Sequence, residues 1–194
     1  MLDLAAGTGN LTRALNDYFA GVIAIEPDPG MRAQFQGDVL EGSAEEIPLP
    51  DNSVDAVFVG EAFHWFDYER ALAEIRRVSR GLAVLGRSWG FKEQPELLPQ
   101  PVIDDLDEVW VRFHGGKTHT DYPDWRDTVE PRGPERFVET VPISGRDLVD
   151  LHMTGSTPAS IPDAERQAIA ERAYPLMDDA YEMRVVTDLY WLRF

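Results

Sequence analysis

Two features of the first 26 residues could bind a nucleoside together. Residues 5–9, Ala-Ala-Gly-Thr-Gly, form a turn of small residues directly after an apolar segment, and Glu26 directly follows a second apolar segment. Small residues let the backbone approach a ligand closely. A carboxylate at the tip of the next strand can accept hydrogen bonds from both hydroxyls of an adenosine ribose. The pair therefore predicts a site for an adenosine-containing ligand.

The elements around these residues follow from alternating hydrophobic patterns. Fully apolar runs predict short buried strands, and apolar residues at helical spacing predict helices between them. The predicted strands cover residues 1–5, 22–25, 39–41, 54–59 and 82–85, and the predicted helices cover residues 10–19, 31–35 and 67–78. Such alternation is typical of an α/β protein with a parallel sheet and helices on both faces.

The second half has a less regular pattern. It predicts helices over residues 103–113, 145–153 and 163–178, the last kinked at Pro175, strands over 136–141 and 181–194, and an irregular stretch over 114–134. No convincing linker is present. We therefore expect a single domain with a cofactor-binding core over residues 1–91, a helical and irregular insertion over 92–135, and a last part over 136–194 that completes the sheet.

Composition excludes several classes of function. The chain of 194 residues contains no cysteine, so it has no disulfide, no thiol nucleophile and no thiolate metal site. A net charge of −17 argues against nucleic acid and anionic membrane surfaces as partners. No apolar run is long enough to span a bilayer. We expect a cytoplasmic protein, and the excess of arginine over lysine indicates a bacterial one. No histidine or carboxylate spacing predicts a metal site.

The type of cofactor depends on the residue in the third slot of the turn. Dinucleotide sites favour G-x-G-x-x-G/A, where the last small residue lets the helix pack closely. Here that slot is Thr12. The pattern favours a ligand that carries an adenosine and no pyrophosphate.

Three ordered motifs extend this argument. Residues 3–9, Glu26-Pro27-Asp28 and residues 45–55 resemble those of the class I S-adenosylmethionine-dependent methyltransferases. Residues 62–67, Ala-Phe-His-Trp-Phe-Asp, are similar to the signature of the methyltransferase type 11 group, which includes enzymes like trans-aconitate methyltransferase. The resemblance covers residues 1 to about 91. It implies a Rossmann-like, doubly wound, mostly parallel sheet with a C-terminal antiparallel strand and a helical cap.

The resemblance also implies roles for individual residues. S-adenosylmethionine would be the cofactor, S-adenosylhomocysteine its product, and a small molecule the methyl acceptor. Glu26 would hold the ribose. The residues expected to bind the cofactor are Asp3, Ala5, Ala6, Gly7, Thr8, Gly9, Glu26, Pro27, Met31, Ser43, Ala44, Glu61, Ala62 and Phe63.

The chain departs from the family pattern at three places. Ser43 stands where the family commonly has an acidic residue against the adenine amino group, and Arg80-Gly81 replaces the usual Pro-Gly-Gly turn. Family members also carry helices before the first strand, whereas this sequence opens inside it. We expect a start further upstream, with poor turnover in a chain that lacks those helices.

Methyl transfer is mainly catalysis by positioning, and a base is needed only for a nucleophile that arrives protonated. His64, directly after the fourth predicted strand, is the candidate base; the alternative is a histidine that only hydrogen-bonds a loop. His64, Trp65 and Trp89 are the predicted substrate pocket, with packing in the core as the favoured alternative for the two tryptophans because aromatic side chains dominate cores. The last part of the chain, residues 136–194, would complete the acceptor pocket.

Two other functions stay open on the sequence alone. A nucleotide-dependent oxidoreductase of the Rossmann type would share the turn and the acidic residue, with Thr12 as the feature against it. A truncated, non-catalytic protein with the methyltransferase fold would explain the abrupt start. The intact Gly7, Gly9 and Glu26 argue against that reading.

Overall fold

A computed structural model describes residues 1–88, 94, 97–113, 124–154 and 161–194. The chain divides into two compact units. The first contains Met1–Arg87, Asp124–Arg136 and Thr187–Phe194, and the second contains Ser88–Pro123 and Phe137–Val186. The nucleoside-binding residues predicted from the sequence all lie in the first unit.

The first unit begins with alternating strands and helices. In chain order these are β1 (Leu2–Leu4), α1 (Asn10–Asn16), β2 (Ile23–Ile25), α2 (Pro29–Arg32), β3 (Val57–Gly60), a 3-10 turn (Phe63–Trp65), α3 (Tyr68–Val78) and β4 (Gly81–Ser88). Helix α5 (Trp125–Val129) also belongs to this unit. Two long strands, β5 (Arg132–Ile143) and β6 (Tyr181–Arg193), continue from one unit into the other.

The six strands form one sheet in the order β2-β1-β3-β4-β6-β5. Strand β1 pairs in parallel with β2 and β3, and β3 pairs in parallel with β4. The end of β6 lies at the start of β4, because the Phe194 amide donates to the Arg80 carbonyl at 3.0 Å. Strand β6 therefore runs antiparallel to β4. The predicted α/β fold, with a mostly parallel sheet and an antiparallel C-terminal strand, is confirmed.

The predicted third strand, over residues 39–41, is wrong. Only Leu40 forms a bridge with β2, opposite Ile25. Its amide donates to Ala24 and its carbonyl accepts from Glu26, at 2.9 and 3.0 Å. Gly37, at φ 126°, and Gly42 flank this residue. Glycine weakens strands because it has no side chain to pack, so the pairing does not spread beyond one residue.

Burial explains why such short strands hold. All three residues of β1 are buried, and Leu2 and Leu4 are fully inaccessible to solvent. They pack in one hydrophobic core with Ile25, Val57 and Val59 from the adjacent strands and with the apolar face of α3. That face consists of Ala71, Leu72, Ile75 and Val78. As predicted, Asp67 caps α3 by accepting a hydrogen bond from the Arg70 amide at 3.3 Å.

The second unit is mainly helical and has its own core. Its helices are α4 (Gln100–Phe113), α6 (Gly145–Met153) and α7 (Asp163–Ala173). The predicted helix over 163–178 ends earlier, because a 3-10 turn (Tyr174–Leu176) begins where Pro175 removes a backbone donor. Leu148 and Val149 are the fully buried centre of the core. Among the described residues, no helix has the length and apolar character needed to cross a bilayer.

The loop before β3 is held to α3 largely by Arg77, together with Glu74, whose carboxylate accepts from the Ile47 amide at 2.9 Å. The Arg77 guanidinium donates to the carbonyls of Ile47 and Leu49, at 2.9 and 2.7 Å, and contacts the carboxylates of Asp51 and Glu74. These contacts satisfy loop carbonyls that have no strand partner. The predicted adenine-contacting residues Ser43 and Ala44 precede this part of the loop.

We expect Arg77→Met to loosen this loop and to lower the free energy of unfolding by about 2 kcal/mol, the sum of two lost hydrogen bonds to backbone carbonyls. Hydrogen–deuterium exchange of residues 45–53 should become faster. Arg70→Met, an exposed arginine on the same helix, is the control. Equal exchange in the two variants would contradict this role for Arg77.

Candidate functional site

The turn after β1 has a backbone that demands small residues. Gly7 and Gly9 have positive φ values of 58° and 86°, and Ala5 has φ 59° although it is not glycine. The Gly9 amide donates to the Ala6 carbonyl at 2.9 Å, and the Ala6 amide donates to Ile25 in β2 at 3.0 Å. Left-handed conformations at non-glycine residues are uncommon and cluster at ligand-binding sites. The turn is thus held in a strained shape by its contacts with β2.

The carboxylate of Glu26 lies against this turn. One oxygen, Oε2, accepts a hydrogen bond from the Gly7 amide at 2.8 Å, and Oε1 accepts one from the Asp28 amide at 2.8 Å. Glu26 is only 5% exposed. A carboxylate has about four lone-pair positions, so two backbone donors leave acceptor capacity on both oxygens. The predicted pairing of the glycine turn with the acidic strand tip is present in the geometry.

A second carboxylate lies beneath the turn. Asp3 is 1% exposed and accepts a hydrogen bond from the Thr12 hydroxyl at 2.5 Å through Oδ2. Its other oxygen, Oδ1, is buried without a hydrogen-bond partner among the described residues. Burial raises the pKa of Asp3 from 3.8 to about 6; the Thr12 hydrogen bonds oppose this rise and the nearby Glu26 charge adds to it. A buried carboxylate oxygen without a donor is a position where a ligand donor or water would be stabilised.

The next predicted cofactor-binding residues, Glu61, Ala62 and Phe63, directly follow β3. Glu61 has φ 59°, and its carboxylate accepts a hydrogen bond from the Arg87 amide. Desolvation raises the pKa of the Glu61 carboxyl, while Arg87 lowers it. Ala62 is half-buried, and Phe63 is 2% exposed and stacks on Tyr68 with centroids 5.7 Å apart. The Phe63 side chain therefore belongs to the core beneath the site.

His64 and Trp65 follow at the same strand end. Their ring centroids are 4.7 Å apart, and Trp65 is 60% exposed. Desolvation lowers the pKa of His64, which favours a neutral ring that can accept a proton. The His64 ring thus contacts Trp65, and His64 is itself exposed. Trp89, the third predicted pocket residue, lies outside the described residues.

The predicted adenine-side residues differ in exposure. Pro27 and Met31 are exposed, Met31 by 46%, whereas Ala44 is 4% exposed and packs in the core. Ser43 is half-buried and forms an isolated bridge with Glu46. Thr8, within the turn, is half-buried, and its carbonyl accepts a hydrogen bond from Arg13 at 3.1 Å.

Sequence reasoning missed two residues that shape the site. A Cβ atom on Gly9 would lie 2.7 Å from Cε2 of Phe35, so this ring lies directly against the turn. Arg32 donates to the carbonyls of Glu26 and Pro27, at 2.8 and 2.6 Å, and thereby fixes the chain that leaves β2. Sequence spacing gives no signal for these contacts, because α2 ends at Arg32 and Phe35 lies beyond it.

Comparison with known proteins finds similarity to methyltransferases. Residues 2–85 match the family model of a methyltransferase domain. An uncharacterized methyltransferase of Mycobacterium tuberculosis is 48% identical over 99 residues, which are 48% of this chain and 41% of that protein. The chain thus spans less than half the length of this curated relative.

Two further comparisons cover most of the chain. A protein of Yersinia pestis named malonyl-[acyl-carrier protein] O-methyltransferase is 26% identical over 94% of this chain and 73% of its own. A solved structure from Anaeromyxobacter dehalogenans, named as a type II methyltransferase, superimposes with a TM-score of 0.60 at 21% identity and covers 99% of this chain and 88% of its own. The predicted resemblance to the methyltransferases is confirmed over residues 2–85, which match the family model, and the solved structure has a similar fold.

The raised pKa of Asp3 predicts that the free energy of unfolding falls as pH rises from 3.8 to about 6. Between pH 3.8 and about 6 the folded chain keeps the Asp3 proton that the unfolded chain releases, so this residue lowers stability as pH rises through that window. Above about pH 6 the loss of stability stays constant. A shift of about two pKa units corresponds to about 3 kcal/mol of the free energy of unfolding.

Asp3→Asn should therefore gain stability relative to the unmodified chain as pH rises from 4 to 6.5, measured by urea unfolding at each pH. Thr12→Val removes the hydrogen bond that lowers the pKa of Asp3, so the window should extend to higher pH. A stability difference between Asp3→Asn and the unmodified chain that does not change with pH would show that Asp3 titrates normally.

Proposed function

We propose that this chain, whose residues 2–85 match the family model of a methyltransferase domain, transfers a methyl group from S-adenosylmethionine to a small-molecule acceptor. The observation that carries the proposal is the Glu26 carboxylate, fixed against the glycine turn by the Gly7 amide with acceptor capacity left over. This arrangement suits a ligand with two adjacent hydroxyls at a close backbone approach. Ribose in an adenosine cofactor has those hydroxyls.

Other residues present also fit the cofactor. The unpartnered Oδ1 of Asp3 offers a buried negative acceptor beneath the turn, suited to a donor such as the ammonium of the methionine part. Ala5, Ala6, Gly7, Thr8 and Gly9 would lie along the ligand through their backbone. Pro27, Met31 and Ser43 would line the adenine, and Glu61 and Ala62 would lie beside the sulfonium. The side chains of Ala44 and Phe63 are buried in the core, so these two residues would support the site from beneath.

S-adenosylmethionine supplies an activated methyl group, so the protein mainly has to bind, align and exclude water. The strained turn does the aligning, because the contacts that hold it to β2 also fix Gly7 and Gly9. Phe35 shields one side of the turn from water. His64 would accept a proton from an acceptor that arrives as a hydroxyl, since its lowered pKa keeps it neutral.

The net charge of the chain and the name of one relative both bear on the chemical class of the methyl acceptor. A net charge of −17 disfavours nucleic acid and anionic membranes as partners. The Yersinia pestis relative is named for a malonyl group on a carrier protein. A carboxyl acceptor of that kind arrives deprotonated and needs no base, whereas a hydroxyl acceptor needs His64. We propose a small molecule as acceptor.

We expect Glu26→Gln to weaken recognition of the ribose. In isothermal titration, the unmodified chain should bind S-adenosylhomocysteine about tenfold more tightly than its 2′-deoxy analogue, because a hydrogen bond to a charged acceptor contributes about 1.5–3 kcal/mol. The variant should bind both alike. The ratio between the two ligands isolates ribose recognition from the structural role of Glu26 in the turn.

Asp17→Asn is the matched control for charge. It removes an exposed carboxylate at the far end of α1, about 10 Å from the turn by helix length, and should keep the tenfold ratio. Binding of NAD(H) without binding of S-adenosylhomocysteine would support the oxidoreductase alternative. Binding of neither would support the non-catalytic one.

His64→Gln should lower turnover of a hydroxyl acceptor by about 100-fold, the usual contribution of a positioned general base. The measurement is release of S-adenosylhomocysteine with hydroxyl-bearing small molecules, over a pH series. Turnover of a carboxyl acceptor should stay unchanged. Undiminished turnover of a hydroxyl acceptor would remove His64 from the mechanism.

A further inference from the structure

Helix α5 packs against the 3-10 turn that carries His64. The ring of Trp125, the first residue of α5, lies on Phe63, the first residue of that turn, with centroids 4.9 Å apart. Trp125 also meets the Tyr190 ring of β6 edge-on, with centroids 5.4 Å apart. Phe63 is 2% exposed and Tyr190 9%. Trp125 therefore joins the turn to β6 through two buried rings.

Polar contacts hold Trp125 in this place. Helix α5 has five residues, far fewer than an isolated helix needs to persist in water. Asp124 caps it by accepting from the Arg126 amide at 2.9 Å, and the Asp124 carboxylate also accepts from Nε of Arg126. Nη1 of Arg126 donates to the Tyr190 hydroxyl at 2.9 Å. The residues on both sides of Trp125 are thus linked to each other, and Arg126 links them to β6.

The turn has few restraints of its own. Ala62 precedes it without a side-chain cap, and the Trp65 amide donates to the Ala62 carbonyl at 3.0 Å. His64 and Trp65 are exposed, whereas Phe63 is buried. Phe63 is therefore the residue through which the core fixes the turn, and Trp125 contacts it from a distant part of the chain.

We propose that Trp125 is a positioning residue for His64. The inference rests on the proposed function, in which His64 is the base for an acceptor that arrives as a hydroxyl. The hydroxyl proton passes to the His64 ring, the acceptor oxygen bonds to the methyl carbon, and the electron pair of the broken carbon–sulfur bond stays on sulfur. A misplacement of about 1 Å can cost about 100-fold in rate. A base on a short, exposed turn therefore needs the support that Trp125 gives through Phe63.

The test is an NMR titration of the histidine rings in the full chain. Partial desolvation lowers the pKa of His64 from 6.5, so this pKa reports how well the ring is covered. In Trp125→Ala the turn should loosen, water should reach the ring, and the pKa of His64 should rise toward 6.5. Trp125→Phe keeps an aromatic contact with Phe63 and should keep the low pKa.

The comparison needs variants that keep the charges around the ring. Both substitutions keep the charged residues that flank His64 and Trp125 in the chain, which are Glu61, Asp67, Asp124 and Arg126. A change in the pKa of His64 then reports coverage of the ring by the protein.

His152 is the internal control for folding. It belongs to the second unit, and burial lowers its pKa too, so this pKa should stay low in a variant that stays folded. Tyr190→Phe is a milder variant, because it keeps the buried ring and removes only the hydroxyl that accepts from Arg126. It should raise the pKa of His64 by less than Trp125→Ala does. If Trp125→Ala unfolds and the pKa of His152 rises as well, Tyr190→Phe decides, and an unchanged pKa of His64 there overturns the proposal.

An unchanged pKa of His64 in folded Trp125→Ala would overturn the positioning role, because the ring would then be covered without help from α5. Isothermal titration of the same proteins with S-adenosylhomocysteine tests the proposed function separately. If the unmodified chain does not bind this ligand, the proposed function fails, whatever the histidine titration shows. Equal affinity in Trp125→Ala and the unmodified chain, with a raised pKa of His64, supports an action of Trp125 on His64. Lost affinity in folded Trp125→Ala would show that Trp125 supports the whole site, which overturns the specific role.

Discussion

The hydrogen bond from the Gly7 amide to the Glu26 carboxylate is the interaction on which the site depends. It joins the ends of two adjacent parallel strands, β1 and β2, at the edge where open α/β sheets bind ligands. The same carboxylate also accepts from the Asp28 amide, which starts the cap of α2. One buried side chain therefore sets the shape of the glycine turn and the direction of the chain after β2. It keeps acceptor capacity for a ligand.

Energetically unfavourable backbone conformations and a buried carboxylate oxygen lie directly next to the hydrophobic core. Ala5 and Glu61 adopt left-handed conformations, and Asp3 carries a buried oxygen that no group in the described part of the chain hydrogen-bonds. Each such feature is unfavourable by about 1–3 kcal/mol in isolation. Leu2, Leu4 and Val57 lie directly behind them and are fully buried. The short strands are stable because their apolar residues are buried, so the strand ends can keep conformations that serve binding.

The residues that could be predicted are those with a strong local pattern. Glycines after an apolar run, an acidic residue after the next run and the Asp67 cap each have a local physical cause, and all three lie where the sequence indicates. The strand over residues 39–41 failed because its apolar pattern is two residues long and glycines flank it. The structural roles of Arg32, Phe35 and Arg77 come from contacts with other segments of the chain or from the direction of a short helix. No periodicity encodes such contacts, so only the three-dimensional structure reveals these residues.

We propose that a ligand with an adenosine binds against Glu26 and the glycine turn, on the acceptor positions that the Gly7 and Asp28 amides leave open. Amide chemical shifts recorded during titration with S-adenosylhomocysteine test it most directly, because they report position rather than affinity. The account predicts that the largest changes fall on the amides of Gly7, Gly9 and Asp28, with smaller ones at Glu61. Changes centred on α6 and α7 of the second unit, with the Gly7 and Asp28 signals unmoved, would contradict it.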